Sequence, residues 1–327
     1  MLFVLILLFL MFLLFLIMFA YVKNKNTCTN ANYIKLVQTR IKTQHIILDK
    51  RKTFVFCSNT KLLLPKLKNN VVFLKHKKRD LITNKQQLYT TLTNYYPNTV
   101  HQIVPRTFIF PKDYTNYQQY KTRHPNEKFI YKTYSHRQEG LFISSNTLTE
   151  TFIESEKFII GQVFLVDTLK FKESKVSFRL YLIVSCMQGK FKSYYFNDGL
   201  VYYSLDNEIA SFYDSDHFYK NNYPILISEF SKEINIDVRS QMVDKIKMLS
   251  SAIKNDICVS DNYYYELYGV DFHLTSDLNA YILEVNAGPG MSANNNTDAT
   301  LRTDIFDSFI QLINTNEINS NLVEIVI

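Results

Sequence analysis

Two short segments near the C-terminus constrain this chain most: Glu266-Leu-Tyr-Gly-Val-Asp271 and, twelve residues on, Leu283-Glu-Val-Asn-Ala-Gly-Pro-Gly290. Ser276-Asp-Leu-Asn279 between them has the residue types of a turn. A hairpin closed there pairs 275 with 280, 273 with 282 and 271 with 284, so Asp271 sits opposite Glu284. Asn286 lies two residues further and shares that face, because alternate strand residues point the same way. Three oxygen-bearing side chains on one face suit a hard cation such as Mg²⁺, held by one or two carboxylates together with nucleotide phosphates. Glycine use sharpens the reading: the 327 residues hold only 7 glycines, and Gly269, Gly288 and Gly290 fall in this window. An ordinary hairpin with exposed acids would carry the same letters, so that reading stays open here.

At the other end, residues 1–20 contain no charged or polar side chain. About twenty apolar residues cross a bilayer core. No basic residue precedes the run and no small-residue cleavage site follows, so residues 1–22 read as an uncleaved anchor rather than a signal peptide. Lys23, Lys25, Lys35, Arg40 and Lys42 follow it, an asymmetry that places the body on the cytoplasmic side of a single-pass protein. Cys28, Cys57, Cys186 and Cys258 are far apart, without zinc spacing, and read as reduced thiols. The formal charge of +7 suits an acidic partner. Clusters such as Lys75-His-Lys-Lys-Arg79 lack interleaved aromatics, which argues against nucleic acid. Abundant Phe, Tyr, Ile, Asn and Lys with no Trp point to an AT-rich genome, that of a virus or parasite.

Between these ends the pattern predicts helices lying on antiparallel sheets, an α+β fold. Strands are expected at 53–57, 70–74, 128–132, 140–143 and 157–166. Next comes a three-stranded meander, Phe178–Ser185, Phe191–Phe196 and Leu200–Tyr203, turning at Gln188-Gly189 and at Asn197-Asp-Gly199. Helices are expected over 80–94, 237–254 and 303–314.

Taken in order, several stretches resemble the tubulin–tyrosine ligase-like family of ATP-grasp ligases over about residues 77–312. They are Lys78-Arg-Asp-Leu81, Pro105-Arg-Thr-Phe108 through Pro111, Phe129-Ile-Tyr-Lys132 with Gln138-Glu-Gly140, and Gln162-Val-Phe-Leu165. Lys175-Val-Ser-Phe-Arg179 through Val184, Tyr195 to Gly199, Glu266 to Asp271 and Leu283 to Asn286 complete the set. The resemblance implies an ATP-grasp fold, two α+β lobes gripping a nucleotide, behind an N-terminal α/β domain and the anchor. It divides the chain into an anchor (1–22), a linker (23–32), an N-terminal domain (33–104), a central lobe (105–166) and a C-terminal lobe carrying the Mg-ATP site (167–327).

The same resemblance implies roles. Lys132 would meet the ATP phosphates, and Gly140 would let loop backbone approach them. Gln162, Val163 and Leu165 would form the hinge that holds adenine. Asp271, Glu284 and Asn286 would hold one or two Mg²⁺ ions. Lys175 and Arg179 would stabilise the transferring phosphoryl group or a substrate carboxylate, where preorganised positive charge acts most strongly. Read alone, Lys132 and the Lys175/Arg179 pair are equally ordinary surface residues of strands. The implied reaction activates a carboxylate as an acyl phosphate, which the amine of a free amino acid attacks; the acceptor is an acidic, tubulin-like protein tail. Departures fall on the substrate side: Ser177 replaces an acid, Tyr202 replaces an arginine, and His217-Phe-Tyr219-Lys220 lacks the family's Thr and Asn. Three readings follow: an active ligase with an altered acceptor, a pseudo-ligase that binds ATP or an acidic tail, and a membrane-tethered interaction protein on a reused fold.

Overall fold

The computed structural model describes residues 53–55, 71–73, 76, 78–134, 140–203, 224–258, 263–290 and 293–327. The expected anchor at 1–22, the linker at 23–32, Cys28, Cys57, Gln138, Glu139 and the His217–Lys220 segment lie outside them. Among the described residues no helix is long and apolar enough to cross a membrane.

In chain order the elements are β1 (Thr53–Val55), β2 (Val71–Phe73), α1 (Asp80–Thr83), α2 (Lys85–Tyr95), β3 (Thr107–Ile109), α3 (Tyr114–Arg123), β4 (Phe129–Lys132), β5 (Leu141–Ser144), α4 (Glu150–Ser155) and β6 (Ile160–Val163). They continue with β7 (Lys170–Phe171), β8 (Ser174–Met187), β9 (Lys190–Tyr203), β10 (Ile225–Leu226), α5 (Ile227–Ile234), α6 (Arg239–Ile257), β11 (Tyr263–Leu274), β12 (Ala280–Ala287), α7 (Asn296–Thr315) and β13 (Leu322–Glu324). The fold is α+β, with two largely antiparallel sheets.

The smaller sheet runs β3-β6-β4-β5. Its core is aromatic: Phe108, Phe110, Tyr117, Phe129, Tyr131 and Phe158 pack together, with Phe110 edge-on to Tyr117 at 88°. The buried Tyr117 and Tyr131 hydroxyls bond each other at 2.6 Å. The larger sheet runs β1-β2-β11-β8-β9-β10, with β12 on β11, β13 on β9 and β7 on β8. β1 and β2 thus join the same sheet as β11, through Val72 opposite Tyr263.

Alternation along β8 explains why this sheet is covered on both faces. Val176, Phe178, Leu180, Leu182, Val184 and Cys186 belong to the core under α6, whereas Tyr181 and Ile183 belong to the core under α7. In α6, Met242, Ile246, Leu249 and Ile253 recur at helical spacing and are all buried. α7 starts seven residues earlier than the pattern predicts. Asn295 caps it by accepting from the Asp298 N–H at 2.8 Å, and its first turn is polar, which hides it from a hydrophobic-periodicity search. The predicted helix over 80–94 is two helices, because Asn84 is extended and caps α2 by accepting from Gln86 N and Gln87 N.

Two further expectations need correction. Gln188-Gly189 is the expected tight turn, with both φ values positive (51° and 76°). Asn197-Asp-Gly199, however, is no turn: β9 runs through it as one 14-residue strand, with an irregularity between Leu180 and Leu182 of its partner. Asp198 accepts from Ser228 N and Ser228 Oγ at the start of α5, and a Cβ on Gly199 would lie 2.3 Å from the Arg179 carbonyl oxygen. Close approach, not turning, explains that glycine. Cys186 and Cys258, read as reduced thiols, form a disulfide with Cα atoms 5.5 Å apart. Their separation of 72 residues conceals a pairing that exists only once the end of α6 lies beside the end of β8.

Candidate active site

The β11–β12 hairpin is built as the letters suggest, with one displacement. The ladder pairs Leu274 with Ala280, His273 with Tyr281 and Phe272 with Ile282, one residue off the expected register. A bulge between Asp271 and Phe272 then skips Leu283 and restores the pairing of Asp271 with Glu284. Before the bulge Ala280 and Ile282 face the core, and after it Val285 does. Glu284 and Asn286 therefore turn to the opposite face, beside Asp271.

There the three side chains touch. Asn286 Nδ2 donates to Asp271 Oδ2 at 2.9 Å and to Glu284 Oε1 at 3.0 Å. Arg179, opposite Asp271 on β8, grips its carboxylate with both ends: Nε to Oδ1 at 2.6 Å and Nη2 to Oδ2 at 2.7 Å. Burial pushes the Asp271 pKa up despite this arginine, while Asp271 holds Arg179 protonated far above its ordinary range against the effect of burial. Burial also works against the Glu284 charge, but the Asn286 hydrogen bond and then Lys132, Lys85 and Arg179 outweigh it, so its pKa falls. Gly269 makes this packing possible, since a Cβ there would lie 3.2 Å from Pro289 and 3.4 Å from the Arg179 side chain.

Lys132 comes from the other sheet. It is 9 % exposed and donates to Gln162 Oε1 at 2.8 Å. Burial lowers its pKa to about 8, with Glu284 opposing that fall and Lys85 assisting it. The small sheet thus presents its buried ammonium to the carboxylate of the large one. Gly140 closes the β4–β5 connection with φ +70°, and the Thr133 N–H donates to its carbonyl at 3.2 Å.

The hinge residues sit less freely than expected. Gln162 uses its side chain on Lys132 and on Thr107 Oγ1. Val163 N already donates to Arg106 O and Phe164 N to Lys128 O, whereas Leu165 follows both bonds and is half-buried. Lys175 shares the face of Arg179 but lies four residues along β8, about 13 Å at strand rise. Its ammonium stands over Phe164, 5.8 Å from the ring centre, and burial, then Lys128 and Lys170, lower its pKa. Ser177 is opposite Tyr202 on β9, and the Tyr202 ring lies under the Arg179 guanidinium at 6.0 Å.

Sequence reasoning missed three contributors. Lys85, at the start of α2, acts on both Lys132 and Glu284. Arg302 reaches from α7 to Asp298, to the Gly290 carbonyl and, at 3.3 Å, to the Tyr202 hydroxyl. Glu266, on the opposite face of β11, accepts from His76 N at 2.7 Å, Tyr268 OH at 2.9 Å and Arg79 Nη1 at 3.3 Å. The Asp298/Arg302 spacing of four would have been a signal only with the helix drawn back to Asn296, where its polar first turn hides it.

The sequence profile described as "Tubulin-tyrosine ligase family" matches residues 65–220 and 203–321. The chain belongs to that family. Among curated relatives, it is 20 % identical over 249 residues to a "Probable alpha-tubulin polyglutamylase Ttll1" of Tetrahymena thermophila, covering 64 % of this chain and 60 % of that protein. It is 25 % identical over 259 residues to a "Probable tubulin polyglutamylase TTLL2" of Homo sapiens, covering 68 % of this chain and 42 % of the relative. A 68-residue stretch is 35 % identical to a "Probable tubulin polyglutamylase TTLL9" of Mus musculus, 21 % of this chain and 14 % of that protein. The chain thus spans 60 % or less of the length of each of these relatives.

Proposed function

We propose that this family member is an ATP-dependent carboxylate–amine ligase on an ATP-grasp fold, which adds an amino acid to an acidic protein tail through an acyl phosphate. The observation that carries the reading is the convergence of Lys132 from one sheet with Glu284, Asp271, Asn286 and Arg179 from the other. On this reading a nucleotide's phosphates would lie between them, with Lys132 as a point charge on the triphosphate. The hinge at Gln162, Val163 and Leu165 would hold adenine. Names of the relatives favour glutamate as the amino acid added and a tubulin tail as acceptor.

Two carboxylates and an amide form a hard-oxygen donor set, and a half-turn of the Asn286 amide brings its oxygen to their side. Asp271, Glu284 and Asn286 fit one or two Mg²⁺ ions, which when bound would neutralise charge on the β- and γ-phosphates. Glu284, held ionised by its neighbours, keeps that set ready. Arg179 would meet the transferring phosphoryl group as its pairing with Asp271 loosens, and Lys175 would act nearer the hinge, where its ammonium stands over Phe164.

Ser177 and Tyr202 favour a second reading, a pseudo-ligase that binds nucleotide without forming an amide. Mg-ATP should stabilise the protein against heat under both readings. Release of ADP that depends on an acidic peptide and L-glutamate, and that is lost in Glu284→Gln, is expected of the ligase alone. Nucleotide stabilisation without such release would establish the pseudo-ligase; no stabilisation would refute both. We further propose that residues 1–22 tether this activity to a membrane with the body on the cytoplasmic side, to be checked by fractionating the chain with and without them.

A further inference from the structure

Behind Arg179, on the face covered by α7, lies a group of polar side chains that phosphate chemistry does not use. Tyr181 follows Arg179 by two residues on β8 and points to the same side. Its ring is fully buried, and its hydroxyl has no hydrogen-bond partner. Such a group costs stability with nothing in the protein to offset it, so its presence calls for an explanation. Its surroundings are specific. Burial raises its pKa, so it remains a donor, while the charges of Arg302 and Arg179 oppose that rise and those of Asp298 and Asp271 add to it. Arg302 donates to the Tyr202 hydroxyl at 3.3 Å, to Asp298 and to the Gly290 carbonyl. Tyr202 in turn lies beneath Arg179.

Both acids here are already paired, Asp298 with Arg302 and Asp271 with Arg179. The second pair loosens if the ligase reading holds, since a divalent cation on Asp271 would compete with Arg179 for the same carboxylate. Arg179, two residues from Tyr181 on the same strand face, then has a donor to spare, and a guanidinium fork matches a planar carboxylate. The surroundings are enclosed by α7 and the Gly288–Gly290 segment, with Tyr202 and Arg302 at 7 % and 6 % exposure. Enclosure suits a small molecule better than a polypeptide tail. We propose that Tyr181, Tyr202 and Arg302, with Arg179, form a subsite for a carboxylate of the amino-acid substrate. On this assignment Arg302, entering from α7, supplies charge where Tyr202 has replaced a family arginine. The proposal rests on the ligase reading above, and its test separates the two.

Calorimetric titration of the full chain with L-glutamate, with and without Mg-ATP, is compared between the parent and Tyr181→Phe. Since the hydroxyl has no partner within the protein, Tyr181→Phe should leave the unliganded melting temperature unchanged or raise it. It should also keep stabilisation by Mg-ATP and weaken L-glutamate binding about tenfold or more, the scale of a lost bond to a charged group. Tyr202→Phe, which keeps the ring under Arg179, should weaken it too. In amide-forming assays the KM for L-glutamate should rise while that for the acidic peptide stays within about twofold. Unchanged L-glutamate affinity in Tyr181→Phe, no L-glutamate binding by the parent, or a rise confined to the peptide KM would overturn the subsite. Failure of Mg-ATP to stabilise the parent would instead refute the ligase reading.

Discussion

Strand β11 carries two acids five residues apart, and they live in different worlds. Glu266 faces the α6 side, where a backbone N–H, a tyrosine hydroxyl and Arg79 all donate to it. Asp271 faces the other side, where its partners Arg179 and Asn286 are themselves candidates to hold a ligand. Both carboxyls are shifted upward by burial, so burial alone does not mark a functional acid. The difference lies in where the partners end: the Glu266 network closes on the protein, and that of Asp271 leads to a face that Lys132 of the other sheet overlooks.

Removing Glu266 should therefore damage stability first. Glu266→Ala leaves Arg79 and a backbone donor unanswered and should cost about 3–5 kcal/mol in denaturant unfolding. A mild effect on unfolding joined to lost nucleotide response would erase the distinction drawn between the two acids. Glu284→Gln is the reverse case. Amide formation should fall by about 100-fold or more, with unfolding free energy within about 1 kcal/mol of the parent.

The pH dependence of nucleotide binding sharpens the same contrast. Lys132 is held at about 8 by burial, cationic below that and neutral above. ATP affinity should be flat below pH 7 and fall by up to about tenfold per pH unit beyond 8.5. The sign for stability is opposite: the unfolded lysine binds its proton more tightly than the folded one. The unliganded protein should thus gain stability from this group as pH rises from about 8 toward 10.5. Lys132→Met should remove both trends. Gly269→Ala is the smallest change. Its Cβ crowds Pro289 and Arg179, so a stability loss of about 1 kcal/mol or less should accompany a several-fold fall in activity, which assays at matched folded fraction would detect.

What could be read from the letters followed the range of the interactions involved. The β11–β12 hairpin, the facing of Asp271, Glu284 and Asn286, the Gln188-Gly189 turn and the apolar stripe of α6 are set by neighbours in sequence, and all were legible. Asp198-Gly199 was misread because its hydrogen bonds go to Ser228, thirty residues away. The polar first turn of α7 concealed Asp298 and Arg302. The Cys186–Cys258 bond, the Glu266 network and the approach of Lys85 to Glu284 depend on packing between distant segments, which no local pattern announces.

The unpaired Leu283 has a last consequence, for tolerance to change. It acts as a parity counter. Residues 280 and 282 obey one even–odd rule, residues 284 and 286 its inverse, and only that surplus position reconciles them. Many side-chain replacements along the hairpin leave the count intact, but a slip that draws Leu283 into the ladder as a paired residue would not. It would swap interior and cleft for the segment beyond it, driving the acid and the amide inward and Val285 outward. Register, more than identity, is what this stretch has to preserve.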